Sequence, residues 1–207
     1  MAKGEIHASA DAAGLAALIS RAAAQTGGES RSLPPVERWN PPFCGDIDME
    51  IRADGTWFYL GTPIGRAPLV RLFSTVLRKD EDGKTYLVTP VEKVGIRVVD
   101  APFVAVEVDA SGEGEGQTLT FRTNVGDVVE AGAEHPLRFV IAGEHKELKP
   151  YISVRGRLEA LISRAVMYEL VALGEVTEVE GAAMFSVRSG GVVFPIMPAA
   201  ELDALSR

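Results

Sequence analysis

At 207 residues, with 46% apolar and 24% charged side chains, the chain has globular composition and room for one large domain or two small ones. Its 29 acidic against 21 basic residues, a net charge of -8, have the wrong sign for a protein whose main task is neutralising nucleic-acid phosphates, though a local basic pocket for one small anion remains allowed. No stretch reaches the roughly 18 uninterrupted apolar residues of a membrane span, the start has no secretory core and the single cysteine excludes a disulfide framework, so a soluble cytoplasmic protein is expected.

The first predicted element is a short helix in "SADAAGLAALISRAAAQ", residues 9–25, capped by Ser9 or Asp11, with Leu15, Leu18, Ile19 and Ala22 on one face. "TGGESRSLPPVE" breaks it. Ile47, Met49 and Ile51 then alternate with Asp48, Glu50 and Arg52, the period-two signature of a strand with its carboxylates on the polar face. Such alternation favours a strand over a calcium loop, which needs converging oxygens. Asp54-Gly55 marks a hairpin turn, and 56–60 supplies the returning strand.

Leu69, Leu72, Phe73, Val76 and Leu77 recur at helical spacing behind Pro68, which is tolerated in a first turn. "DEDGK" reads as a turn, "TYLVT" and "GIRVVD" as strands, and "FVAVEVD" as a further strand ending in the Gly-Glu loop "SGEGEGQ". A shift of 89 residues lays Arg66, Leu69, Leu72, Phe73 and Ser74 on Arg155, Leu158, Leu161, Ile162 and Ser163, which predicts a second helix entered at Arg155. A hairpin with its turn at Ser189-Gly190-Gly191 follows. The expectation is an α+β protein of two related halves, each of antiparallel strands with one main helix: an N-terminal helix and linker over 1–30, a first repeat over 31–100 and a second over 101–207.

Candidate chemistry is sparse. Cys44 sits behind two prolines and reads as a structural thiol, since a nucleophile would need a nearby base and none of His7, His135 and His145 lies in a catalytic motif. The histidines also lack metal-type spacing. Asp46 follows Gly45 at a strand entry and is the carboxylate best placed to hold a backbone or an arginine. In "GTPIGR", Thr62, Gly65 and Arg66 precede a helix whose free N–H groups suit an anion, against a plain capping role. Arg66 and Arg155, at the two expected helix entries, can each grip a carboxylate or phosphate through paired hydrogen bonds, or tie a helix to its sheet. Trp39, Trp57, Tyr151 and Tyr168 supply aromatic faces, for packing or for a ligand.

"ERWNPPFCGDIDMEIRADGTWFYLGTPIGRAPLVRLFSTVL", "YLVTPVEKVGI", "DAPFVAVEVD", "FRTNVGD", "HPLRF" and "YISVRGRLEALISRAVMYELV" resemble a proteobacterial family, the domain of unknown function numbered twelve eighty-five, over residues 34–196. The resemblance implies a duplicated core, a second half loosely like a pleckstrin-homology fold, a nucleotide-like ligand between the halves and a role in signal transduction. It brings no catalytic residues. The motif residues expected to face such a ligand are Trp39, Asp46, Arg66, Arg122, Asn124, Asp127, Arg155 and Arg164. The function expected is a non-enzymatic regulator or sensor binding a small anionic, nucleotide-type molecule. The alternatives are a hydrolase acting on a phosphorylated or nucleotide substrate, with Asp46 as its carboxylate, and a protein-interaction adaptor.

Overall fold

The structure, a computed structural model, describes residues 14, 16, 17, 19, 33–142 and 147–201. The helix expected over 9–25 lies largely outside them; of that stretch Gly14, Ala16, Ala17 and Ile19 are helical, with Ala16 and Ile19 buried. The chain divides into two compact units, Met1–Pro102 with Gly156–Leu158, and Phe103–Arg155 with Glu159–Arg207. Among the described residues no helix is long and apolar enough to cross a membrane.

In the first unit the strands are β1 (Phe43–Ile51), β2 (Trp57–Tyr59), β3 (Thr62–Pro63), β4 (Leu77–Lys79), β5 (Thr85–Val88) and β6 (Lys93–Val98), with helix α1 (Ala67–Thr75) between β3 and β4. They form one sheet in the order β3-β2-β1-β6-β5-β4. Two antiparallel meanders, β1-β2-β3 and β4-β5-β6, meet through the parallel pair β1 and β6. The alternation read in β1 holds: Met49 and Ile51 are buried and Asp48 is exposed. The apolar side carries Trp57, which stacks on Phe73 of α1 with ring centroids 6.1 Å apart. At the hairpin, Gly55 takes φ +81° and the Thr56 N–H donates to Asp54 Oδ1 at 2.9 Å. The β2–β3 turn places Leu60 and Gly61 in the left-handed region.

The second unit uses β7 (Phe103–Ser111), β8 (Thr118–Thr123), β9 (Val128–Glu130), β10 (Leu137–Ala142), β11 (Glu147–Arg155) and β12 (Leu158–Ile162), ordered β10-β11-β12-β7-β8-β9. Read from the other edge, that order is 9-8-7-12-11-10, the plan of the first sheet, and β12 runs parallel to β7 as β6 does to β1. The two halves are therefore related strand for strand. The helices are not. In this unit α2 (Arg164–Ala172) comes after the sixth strand, with Ser163 Oγ accepting from the Val166 N–H at 3.4 Å.

The expected second helix entry at Arg155 is corrected accordingly. Arg155 ends β11, Gly156 turns the chain at φ +52°, and Leu158, Ala160 and Ile162 are buried alternately along β12. The segment 155–163 carries apolar residues at both helical and strand spacing, and pairing with β7 decides for the strand. A third sheet, β13 (Glu175–Val179), β14 (Ala182–Ser189) and β15 (Val192–Pro198), completes this unit. Its second hairpin closes on Gly190-Gly191, both at positive φ, the conformation of a two-residue type I′ turn.

Candidate functional site

The charge is unevenly divided. Residues 34–101 hold 10 acidic and 9 basic side chains, residues 102–201 hold 15 and 8, so an anion meets less opposition in the first unit. There a cleft of about 430 Å³ is lined by Asp46 and Ile47 of β1, Lys79 of β4, Gly83 and Lys84 of the β4–β5 turn, Gly95 and Arg97 of β6, and Asp100 beyond it. Three cations face two carboxylates. Arg97 also pairs with Glu50, which Arg52 approaches at 3.4 Å; among the described residues neither Lys79 nor Lys84 has an ion-pair partner.

Asp46 reaches this cleft through a local irregularity. The β1–β6 register shifts on both sides of Asp46, and the preceding Gly45 stands at φ +99°. A bulge of this kind re-aims a side chain out of the regular alternation. The carboxylate then leans over Gly95, its partner in β6, where a Cβ would collide with Asp46 Oδ1. Glycine inside a strand weakens the strand, and this close approach accounts for it.

A second cluster lies behind the same β4–β5 turn. Arg78, 8% exposed, donates to Asp80 Oδ1 at 2.6 Å and to the carbonyls of Val36 and Trp39 at 2.9 and 2.7 Å, and Lys93 donates to Asp80 Oδ2 at 3.0 Å. Burial opposes ionisation of Asp80, but the hydrogen bonds and charges of Arg78 and Lys93 outweigh it and hold its carboxyl below the usual range. Tyr86 donates to Asp82 at 2.5 Å; that bond, with burial, pushes the phenol up to about 12, and the same bond, with the Lys84 N–H, draws the Asp82 carboxyl down. These contacts fasten the turn that carries Lys84.

The candidates from sequence fall at separate places within their units. In the first, Trp39 is half-buried beside the Arg78 cluster, Asp46 lines the cleft, and Arg66 is exposed as the N-cap of α1 with no side-chain capping bond. In the second, Arg155 and Asp127 come together, Nη1 to Oδ2 at 2.5 Å, with the guanidinium 4.8 Å from the centre of the Phe103 ring. Arg122 pairs with Glu107, whose carboxyl that bond lowers. Asn124 Oδ1 accepts from the Val104 N–H at 3.0 Å, tying a turn to β7. Arg164 opens α2 and donates to the Tyr168 hydroxyl at 3.1 Å. Cys44 donates to the Pro42 carbonyl at 3.5 Å; His135 Nδ1 lies 3.1 Å from the Ser153 carbonyl; His7 and His145 lie outside the described residues.

Lys79, Lys84, Gly95 and Arg97 were not among the sequence candidates. The two lysines bracket a segment that reads as an ordinary turn, and no motif joins them to β6. The one available signal was Gly95 within "KVGIRV", a glycine inside a strand pattern.

Residues 34–101 match the family model described as "Domain of unknown function (DUF1285), N-terminal domain", and residues 102–196 match "Protein of unknown function (DUF1285), C-terminal domain". A crystal structure of a DUF1285 family protein from Silicibacter pomeroyi DSS-3 is 51% identical, with a TM-score of 0.78 over 87% of this chain and 96% of that one. Another, from Shewanella baltica OS155, is 27% identical, with a TM-score of 0.48 over 60% of this chain and 90% of that one. None of the curated proteins matches the chain.

Proposed function

The chain belongs to the DUF1285 family, and from that premise we propose that it is a regulatory or sensor protein that binds a small anionic ligand, without turning it over, in the cleft beside Gly95. The observation that carries this reading is the gathering of Lys79, Lys84 and Arg97 around one cleft of a chain with net charge -8. Ammonium and guanidinium groups converging from β4, the β4–β5 turn and β6 suit the several oxygens of a phosphate or carboxylate. The fastened turn supports the same reading, since the backbone that carries Lys84 is already ordered and only its side chain remains to be fixed on binding. Of the sequence candidates, Asp46 belongs to this site.

Titration calorimetry with inorganic phosphate, pyrophosphate and AMP tests the proposal. At least one of them is expected to bind, and Lys79→Ala and Lys84→Ala should each weaken that binding about tenfold, the scale of one charge-assisted hydrogen bond. Unchanged affinity in both variants would take the ligand away from this cleft. Breakdown of pyrophosphate during the titration would replace the binding protein with a hydrolase.

A further inference from the structure

The cleft holds more than an anion requires. Asp46 and Asp100 share it with the three cations, and an ionised carboxylate can only accept hydrogen bonds. Beside a bound phosphate, Asp46 would repel an oxygen that brings no proton. Yet two local departures from regular strand structure converge on holding it there, the bulge at Gly45-Asp46 and the absence of a side chain at Gly95. Beside Gly95 the Tyr86 ring brings its Cε1 within 3.7 Å of where a Cβ would sit, but Tyr86 is buried, 5% exposed, so little of that ring is open for a nucleobase to stack on.

We infer that the ligand is a phosphorylated polyol, its phosphate on Lys79, Lys84 and Arg97 and a neighbouring hydroxyl donating to Asp46. This rests on the anion-binding reading above and narrows it. Asp46 is then the residue that sets specificity, and Gly95 is the positioning residue that leaves room for its carboxylate.

Glycerol 3-phosphate and propyl phosphate differ only in the two hydroxyls, so their dissociation constants measured by calorimetry isolate the contribution of a donor. The unaltered protein should prefer glycerol 3-phosphate by about ten- to a hundredfold, the worth of a hydrogen bond to a charged group. Asp46→Ala, which removes the acceptor together with the charge, should bring that ratio close to one while propyl phosphate binds as well as before or better, because a negative charge has left the cleft. Gly95→Ala, which displaces the carboxylate, should act in the same direction. Equal affinities for the two probes in the unaltered protein would overturn the polyol and leave the anion site standing, as would tighter binding of AMP than of either. A preference that survives Asp46→Ala would remove Asp46 from its role. No binding of any phosphate compound would overturn both readings together.

Discussion

Asp80 ties together distant parts of the first unit. Through Arg78 it reaches the carbonyls of Val36 and Trp39, which precede β1, and through Lys93 it reaches β6. Both partners are mostly buried, so the contacts escape much of the solvent screening that makes surface ion pairs weak. The folded state holds the Asp80 carboxyl below its ordinary value, so its contribution is complete above the unfolded-chain pKa, about 3.9, and is lost as pH falls through the lower folded value. Asp80→Asn is therefore expected to lower stability at pH 7 by about 1.5 to 3 kcal/mol, with the gap to the unaltered protein closing below about pH 4. Urea denaturation followed by tryptophan fluorescence reads this in the right place, because Trp39 and Trp57 are the chain's two tryptophans and both belong to the first unit. A gap that stays constant down to pH 3 would mean that Asp80 contributes through shape rather than charge.

At the scale of elements, the β14–β15 hairpin shows how the third sheet is joined to its unit. Ser189, fully buried, donates through Oγ to the Ala131 carbonyl at 2.6 Å and accepts from the Leu119 N–H at 2.8 Å, while the Gly190 N–H donates to Gln117. One hydroxyl satisfies a donor and an acceptor that no water reaches. Ser189→Ala leaves both unmade, an expected loss of about 1 to 3 kcal/mol, and the Leu119 amide should exchange its hydrogen faster than in the unaltered protein. Unchanged protection at Leu119 would show that the hydroxyl is dispensable. The turn itself was legible in the sequence, because Gly190-Gly191 encodes its own backbone, as Asp54-Gly55 does. Strand β12 was not. Its identity depends on pairing with Phe103, Val104 and Ala105, far away in sequence, and no local pattern reports such pairing. The short β3 at Thr62–Pro63 was missed for the same reason, its role fixed by Phe58 and Tyr59. The cleft shares that fate, since Asp46, Lys79 and Arg97 are brought together only by the sheet order.

Across the whole molecule the duplication conserves a plan and divides its use. Phe43 opens β1 and Phe103 opens β7, each beside the sixth strand of its unit but at a different register: Phe43 pairs with Lys93, the first residue of β6, and Phe103 with Ala160, the third of β12. Their surroundings differ. Phe103 is fully buried under the guanidinium of Arg155, whereas Phe43 is 55% exposed and meets Tyr86 edge-on at 6.0 Å. The helices are also placed differently: α2 follows the sixth strand and packs on β7, while α1 lies between the third and fourth strands. Phe103→Ala should cost about 3 to 5 kcal/mol, as for a large core side chain, and Phe43→Ala less than about 1 kcal/mol. Chemical denaturation of the two variants, followed by far-ultraviolet circular dichroism, measures both. Equal losses would mean that exposure does not separate the two phenylalanines, and that Phe43 is held by its contact with Tyr86 as firmly as Phe103 is by its burial.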